Sequence, residues 1–214
     1  SAVASCPPPE ADMVARSALC DAYDMRNIGI TYGGGGLCAR PRLTGDVSAA
    51  FEMTDGAPEQ LEATADSTWS GDNVYALMLT LHGGAIAHSA KMMHLILDSS
   101  TESEAVATSK VGELVTYTRN IMRAIGIEPG SPTFVGTDNR ANALIASGRS
   151  LPTRLRHCLR RYMTFLQRVR AGECEIGHVR DEANPTDFRT KFVPRAKFES
   201  SLEYATNAKN AVLA

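Results

Sequence analysis

The sequence lacks the features that would mark a membrane, secreted or metal-thiolate protein. Its five cysteines are scattered and none forms a C-x-x-C pair, so we predict free thiols, not a zinc site or a disulfide framework. No apolar run is long enough to span a membrane, and no signal peptide is visible. We therefore expect an intracellular protein of a reducing compartment, the cytoplasm or the nucleus.

An excess of charge of one sign is also missing. With 22 basic and 24 acidic residues the net charge is -2, which excludes a general affinity for polyanions, so any nucleic-acid site must come from local charge. What is present is an apolar content of 43% in 214 residues, enough for one medium domain with an extension or for two small domains. The chain begins with Ser, not Met, which fits a fragment or a processed product.

Composition divides the chain into three parts. Residues 1–58 mix Gly, Pro, Asp and Ser with single apolar residues and carry no chemical motif, so we predict an N-terminal extension or connector. Residues 59–196 are predicted to form the folded domain, and residues 197–214 a C-terminal tail.

The folded part is predicted to be an α/β domain. Apolar runs and turn residues predict strands at 61–68, 74–82 and 85–92, the last two joined by Gly83-Gly84. A long helix to about Ala124, a strand at 133–138, helices at 139–147 and 152–172, a strand at 173–179 and a helix from Asn184 follow. This order implies a mixed five-stranded sheet flanked by helices.

Two glutamates lie at the start of the long helix. Thr101 and Glu104 fit a capping box, with Asp98 and Ser100 as rival caps. At 100° per residue Glu104 shares the face of the apolar residues, whereas Glu102 falls on the opposite side. We expect Glu104 at the core face and Glu102 in water; the alternative is that Glu104 only caps the helix.

Three aspartates are predicted to join Glu104. Asp66 and Asp138 end predicted strands and Asp187 begins the last helix, so all four acids can converge on one edge of the sheet. Converging carboxylates repel one another unless divalent cations neutralise them. Oxygen ligands without His or Cys favour Mg²⁺ or Mn²⁺ over zinc, and two such ions are the usual machinery for displacement at phosphorus.

Five short motifs follow one another along the predicted domain: Asp66–Asp72, Gly83–Lys91, Ser99–Glu104, Thr137–Asn139 and Asn184–Lys191. They resemble, in that order, S-D-A-D-W-A-G-D, G-G-x-x-x-W-x-S-K, S-S-T-E-A-E, C-D-N and N-P-A-D-x-x-T-K. These are motifs of the ribonuclease H domain of copia-type (Pseudoviridae-like) LTR retrotransposon polyproteins, the segment that follows the reverse transcriptase.

The resemblance implies a ribonuclease H-like fold and an endonuclease that uses two Mg²⁺ or Mn²⁺ ions to cut the RNA strand of RNA–DNA hybrids. It implies that Asp66, Glu104, Asp138 and Asp187 are the metal-binding and catalytic acids. It implies that His178 moves protons or helps to release the product. The alternative is that His178 is an ordinary histidine at the end of a strand. The implied partners are the hybrid and the reverse transcriptase portion of the same polyprotein.

The stretch from Arg149 to Arg170 holds seven arginines and no acid. Such a run is usually a solvated helix face. Beside a site for phosphodiester hydrolysis, however, we expect a role in binding phosphates equally. Its apolar residues, Leu159 among them, predict the face that packs inward, and we expect Trp69 in the core. The candidate nucleic-acid-binding residues are Arg154, Arg156, His157, Arg161, Arg168 and Asn139.

Three functions remain open. The first is an active ribonuclease H. The second is a domesticated, catalytically silent copy that serves as a structural or interaction subunit beside other proteins. Two departures from the family pattern leave room for it, namely His88 where Trp is usual and Leu159 where the family has Asp. The third is another nuclease or integrase of the same fold, although the acid spacing and zinc-binding module of an integrase are not seen. Polymerase activity is excluded because the chain has no paired-aspartate motif.

Overall fold

A computed structural model describes residues 61–69, 73–94, 97–151 and 158–207. Before residue 61 it describes positions 13, 16, 19, 20, 23, 28–30 and 32, and the backbone of 39–42 and 52–55. Three of the candidate nucleic-acid ligands, Arg154, Arg156 and His157, lie outside the described residues. Of the five cysteines, the three at described positions are free thiols. Within the described part of the chain, no helix has the length and hydrophobicity needed to cross a bilayer.

Among the residues that the structure describes, seven strands form two sheets. β1 (Ala39–Arg42) and β2 (Glu52–Asp55) make a small antiparallel pair. The main sheet has the order β5-β4-β3-β6-β7, in which β3–β4 and β4–β5 are antiparallel and β3–β6 and β6–β7 are parallel. The predicted mixed five-stranded sheet is therefore confirmed. Its strands are β3 (Leu61–Ser67), β4 (Val74–Leu81), β5 (Gly84–Met92), β6 (Thr133–Thr137) and β7 (Cys174–His178).

From residue 97 onward, in the described stretches, four helices flank this sheet in the predicted order. They are α1 (Ser100–Ala124), α2 (Arg140–Ala146), α3 (Leu159–Arg170) and α4 (Arg195–Thr206), with short 3-10 turns at Asp181–Ala183 and Asp187–Arg189. Helix α1 packs on β3 and β4 and against α3, whereas α4 lies against β5. The main core is therefore formed between the central strands and the α1–α3 layer.

Close packing of α1 and α3 depends on one glycine. A Cβ atom at Gly112 would lie 2.8 Å from the ring of Phe165, which is 0% exposed in the core. The small residue on α1 thus admits the largest fully buried side chain of α3 and lets the two helices approach.

The N-terminus of α1 differs from the prediction. Ser99 is the N-cap and accepts a hydrogen bond from the backbone N–H of Glu102, while Glu102 Oε2 accepts one from the N–H of Asp98 at 2.9 Å. The capping pair is thus Ser99 and Glu102, not Thr101 and Glu104. Because its side chain folds back over the helix start, Glu102 is only 3% exposed, and its predicted position in water is wrong. The predicted burial of Glu104 is confirmed.

The start of the last helix was also predicted wrongly. No helix continues from Asn184; Asp187 lies in a single 3-10 turn and α4 begins only at Arg195. The reason is that Asn184 bonds to its surroundings, since its Nδ2 donates to the carbonyl of Ala65 and its Oδ1 accepts from the N–H of Thr186. These bonds hold the segment on β3 instead of letting it wind into a helix.

Three smaller predictions need correction. The β4–β5 hairpin exists, but its turn residues with positive φ are His82 and Gly83, and Gly84 already begins β5. Trp69 is 48% exposed, not in the core, and its Nε1 donates to the carbonyl of Leu97. Leu159 is 37% exposed because it begins α3, before the turn that reaches the core.

Candidate metal centre

The four predicted site acids lie in or directly beside four different elements. Asp66 is near the end of β3, Asp138 directly follows β6, Glu104 lies in the first turns of α1, and Asp187 begins a 3-10 turn. Because β3 and β6 are parallel neighbours, their carboxyl ends meet at one edge of the sheet. One oxygen from each of Asp66, Glu104 and Asp138 lies within 4.8 Å of the others. We call these three residues the acid triad.

Glu104 is held by three hydrogen bonds. Its Oε1 accepts from the backbone N–H of Ser67 at 3.0 Å and from the Ser67 hydroxyl at 2.6 Å, and its Oε2 accepts from the Thr137 hydroxyl at 3.1 Å. Burial, followed by the negative charges of Asp138 and Asp66, raises the pKa of Glu104 to about 8. These hydrogen bonds therefore fix the orientation of the side chain but do not neutralise its charge.

The other two acids of the triad are perturbed in the same direction. Asp66 is 2% exposed and accepts a hydrogen bond from the Thr190 hydroxyl. Burial and the charge of Asp138 raise the pKa of Asp66 to about 7, and burial and the charge of Asp187 raise the pKa of Asp138 to about 6. Three neighbouring carboxyls with raised pKa values are a site that favours protons or cations.

A second acidic group shares Asp138 with the triad. One oxygen from each of Asp138, Asp181 and Asp187 lies within 4.8 Å of the others. Here two lysines are present. Lys191 Nζ is 3.1 Å from Asp187 Oδ2 and 3.0 Å from Asp181 Oδ1. Lys197 Nζ contacts Asp187 Oδ2 and lies 3.5 Å from Asp181 Oδ2.

Asp187 keeps one oxygen without a partner. The residue is 0% exposed; its Oδ2 carries both lysine contacts, but its Oδ1 is buried and has no hydrogen-bond partner. A buried carboxylate oxygen in that condition is unfavourable unless an ion or a water binds it. Together with a donor set made only of carboxylate oxygens, this atom fits a hard divalent cation such as Mg²⁺ or Mn²⁺.

Three hydrogen bonds attach the segment 184–190, which contains Asp187, to β3. In addition to the bond from Asn184 to Ala65, the hydroxyls of Thr186 and Thr64 hydrogen-bond to each other, and Thr190 donates to Asp66. We call these contacts the β3 latch. They place Asp187 beside the triad although it belongs to no regular strand or helix of the sheet.

The remaining predicted site residues do not all lie at this edge, since Arg168 contacts Thr116, about three turns along α1 from Glu104. His178 ends β7, and its backbone pairs with Thr137, the residue before Asp138. Asn139 caps α2, since its Oδ1 accepts from the N–H of Asn142 at 2.9 Å. Arg161 is half-buried on α3, and Arg168 donates from Nε to the Thr116 hydroxyl at 3.0 Å, so part of its guanidinium links α3 to α1.

Sequence reasoning missed the cations and one acid of the second group. Lys191 follows Asp187 by four residues and is part of the fifth motif, a signal that was available. Asp181 and Lys197 carried no comparable signal, because they meet Asp187 only through the irregular path between β7 and α4.

The raised pKa values predict how stability depends on pH. In a window from about pH 4 to pH 8 the folded protein holds protons that the unfolded chain has lost, on Asp66 up to a pKa of about 7 and on Glu104 up to a pKa of about 8. The free energy of unfolding of the metal-free protein therefore falls as pH rises through this window. One pKa unit corresponds to about 1.4 kcal/mol, or roughly 3–6 °C in Tm at this size.

A divalent cation should reverse this loss. We expect Mn²⁺ to raise the Tm by several degrees more at pH 8 than at pH 5, as measured by calorimetry with and without the ion. An equal effect of Mn²⁺ at both pH values would contradict the assignment of the triad as a cation site.

The sequence was compared with protein families and with known proteins. No protein-family model matches the sequence. The chain is similar to the Retrovirus-related Pol polyprotein from transposon TNT 1-94 of Nicotiana tabacum, with 24% identity over 149 residues. The match covers 67% of this chain and only 11% of the polyprotein. It confirms the resemblance to a retrotransposon polyprotein.

Two solved structures to which the chain is similar are of ribonucleases H1. RNase H1 from the halophilic archaeon Halobacterium salinarum NRC-1 is 16% identical, with a TM-score of 0.46, over 61% of this chain and 93% of that one. LC11-RNase H1, solved in complex with an RNA/DNA hybrid, is 12% identical with a TM-score of 0.47 over the same shares. The mixed sheet and flanking helices of the chain itself agree with the ribonuclease H-like fold expected from its motifs.

Proposed function

We propose that this chain is a divalent-metal-dependent endonuclease that hydrolyses the RNA strand of RNA–DNA hybrids, as part of a retrotransposon-derived polyprotein. The observation that carries the proposal is the convergence of one oxygen from each of Asp66, Glu104 and Asp138 within 4.8 Å; Asp187, which has an unpartnered buried oxygen, lies within the same distance of Asp138. The order of the five motifs and the similarity to a Pol polyprotein support the same function.

The charges of the site favour phosphodiester hydrolysis. Buried carboxyls with raised pKa values need a compensating cation to be ionised together. When two such ions are bound, they supply an activated water and stabilise the leaving oxygen in a displacement at phosphorus. The acids would hold these ions, with Asp138 shared between the two acidic groups.

Hydrogen bonds within the chain already orient two of the proposed metal ligands. Ser67 and Thr137 fix Glu104, and Thr190 fixes Asp66, so these ligands need little reorganisation during the reaction. His178 lies at the end of β7, next in the sheet to the strand that leads into Asp138. From there its imidazole would take up or deliver a proton at the reacting phosphate.

Recognition of the hybrid must rely on local positive charge and on the sugar. A net charge of -2 gives little general attraction to nucleic acid, and contacts to the 2′-hydroxyl distinguish RNA from DNA. We propose that the reverse transcriptase part of the same polyprotein is a partner and that the protein acts inside the cell. The proposed phosphate- and sugar-binding residues are Arg154, Arg156, His157, Arg161, Arg168 and Asn139.

One assay tests the function directly. The purified protein is incubated with a hybrid labelled on its RNA strand, with Mg²⁺ or Mn²⁺, beside an Asp138→Asn variant. We expect the parent to cleave the RNA strand and the variant to lose at least about 100-fold in rate, because losing an indirect support of a metal site already lowers activity about 10–100-fold. Asp138 is chosen because it is the least buried acid of the triad.

The matched control is Glu113→Gln, which removes an exposed carboxylate that pairs with Lys110 on the outer face of α1. It should cleave like the parent. No cleavage by folded parent protein with either ion would overturn the proposal and would favour the silent-scaffold alternative.

A further inference from the structure

One departure from the family pattern, His88, lies on the same face of the sheet as Asp66. Its imidazole is exposed on β5, the edge strand. Opposite residues of antiparallel strands share a face of the sheet, so His88, Met78 and Thr64 line one face. Asp66 follows Thr64 by two residues on β3 and therefore points to that face as well.

Arg189 is a close neighbour of this histidine. It belongs to the 3-10 turn that begins at Asp187, and two side-chain hydrogen bonds of the β3 latch hold this turn against the same face. Burial and the positive charge of Arg189 lower the pKa of His88. The fold thus brings a guanidinium and an imidazole from distant parts of the sequence together beside the acids.

No acidic side chain balances this pair within the described part of the chain. Arg189 has no ion pair or hydrogen bond there, and its buried Nε is without a partner. Burial lowers the pKa of Arg189, and no carboxylate charge raises it. Two neighbouring nitrogen-bearing side chains without a counter-charge, one of them with unused donors, are a favourable place for an anion.

The guanidinium is also held in position by aromatic rings. Its central carbon lies 5.6 Å from the centroid of the Phe188 ring. Phe188 in turn packs edge-to-face on Phe198 of α4, with 5.5 Å between the ring centroids. A planar guanidinium presents several N–H donors in a fork that fits a phosphate group, and the imidazole of His88 can donate one more hydrogen bond.

We propose that His88 and Arg189 form a phosphate subsite that binds one backbone phosphate of the RNA–DNA hybrid, away from the bond that is cut. His88 is two strands from Thr64, or about 10 Å across the sheet, which separates the subsite from the reacting phosphate. This inference rests on the proposed function and adds a substrate contact on β5, where the family has Trp.

The salt dependence of hybrid binding tests the proposal. Every protein carries Asp138→Asn to prevent cleavage, and fluorescence anisotropy gives its affinity for a labelled hybrid with Mg²⁺ at several salt concentrations. Each phosphate contact contributes about one to the slope of log K against log[salt]. We expect Arg189→Met to weaken binding by about tenfold and to reduce this slope by about one, whereas Arg189→Lys should keep the slope.

Arg123→Met is the matched control, because Arg123 lies at the other end of α1 from Glu104 and pairs with Glu128. It should leave the affinity and the slope unchanged. His88→Val is a second variant that should fold normally, since His88 is exposed on an edge strand. It should weaken binding by about threefold. Combined with Arg189→Met it should cost less than the product of the two effects, because both side chains bind the same phosphate.

Cleavage kinetics in the protein with intact Asp138 separate the subsite from the metal centre. Arg189→Met should raise KM and leave kcat unchanged, because the subsite binds the ground state and the transition state alike. A fall in kcat at constant KM would mean that Arg189 acts through Asp187, and it would overturn the inference.

Equal affinities and slopes for parent and Arg189→Met would also overturn the inference, and cleavage by the parent would leave the proposed function standing. Binding of inorganic phosphate, followed by the NMR signal of His88, would in that case identify a site for a free anion and not for nucleic acid. A folded parent protein that neither binds nor cleaves the hybrid would overturn both proposals.

Discussion

Glu104→Gln is expected to abolish RNA-strand cleavage and at the same time to stabilise the metal-free protein. The rate should fall by at least about 100-fold, because the substitution removes a proposed metal ligand and not merely an indirect support of one. The amide has nearly the shape of the carboxylate. Its oxygen can still accept from Ser67, and only the hydrogen bond from the Thr137 hydroxyl is lost, so most of the local packing is retained.

The expected stabilisation of metal-free Glu104→Gln follows from the buried, negatively charged surroundings of this side chain. The pKa of Glu104 is raised to about 8 by burial and by Asp138 and Asp66, so the ionised side chain destabilises the folded state at pH 8. A neutral amide removes this unfavourable charge, and we expect the metal-free Tm at pH 8 to rise by a few degrees or more. At pH 5, where the carboxyl is already protonated, parent and variant should melt together.

Glu102→Gln is the matched control, two residues away on the same helix start. Glutamine still completes a capping box with Ser99, and the residue lies outside the acid triad, so cleavage should be unchanged. Loss of cleavage in Glu102→Gln with retention in Glu104→Gln would show that the wrong glutamate has been assigned. A fall in Tm for metal-free Glu104→Gln would contradict the electrostatic argument.

Phe165→Ala is expected to lower the free energy of unfolding more than any other variant proposed for this protein. The ring is fully buried and contacts the position of Gly112, where α1 and α3 approach each other. Truncating such a ring removes buried apolar surface and leaves a cavity at a helix crossing that can collapse only in part, which costs about 3–5 kcal/mol. That is a large share of the roughly 5–15 kcal/mol by which a domain is stable.

Urea unfolding followed by circular dichroism measures this effect, and the midpoint should fall with little change in slope. Met163→Ala on the same helix is the control, because Met163 is 44% exposed and its truncation should change stability by less than about 1 kcal/mol. Equal losses for the two variants would mean that the α1–α3 interface is not the principal core.

The sheet and the positions of the four acids in it could be predicted, because both depend on sequence patterns within single elements. Apolar runs of strand length, a glycine-containing hairpin and helical periodicity specify β3 to β7 and α1. Asp66 and Asp138 follow directly from these, since a residue at the end of a strand lies at the edge of a sheet. Glu104 followed from the helical angle, even though the cap itself was assigned to the wrong residue.

The irregular segment between β7 and α4 could not be predicted, because its path is fixed by distant contacts. Asn184 finds its partner on β3, 119 residues earlier, and no local pattern reports such a bond. The lysines reach Asp187 only once that path is set. Exposure of Trp69 has a similar origin, as its indole N–H pairs with a carbonyl beyond the β4–β5 hairpin.

The β3 latch has a consequence for biosynthesis. The β3 residues of the latch leave the ribosome well before its other three residues, Asn184, Thr186 and Thr190, are translated. At a synthesis rate of about 5–20 residues per second, β3 is without these partners for several seconds or more. Nascent chains that stop short of the latch would contain Asp66, Glu104 and Asp138 but not Asp187. Cleavage activity would then require that the segment from Asn184 to Thr190 has been synthesised as well as the acid triad.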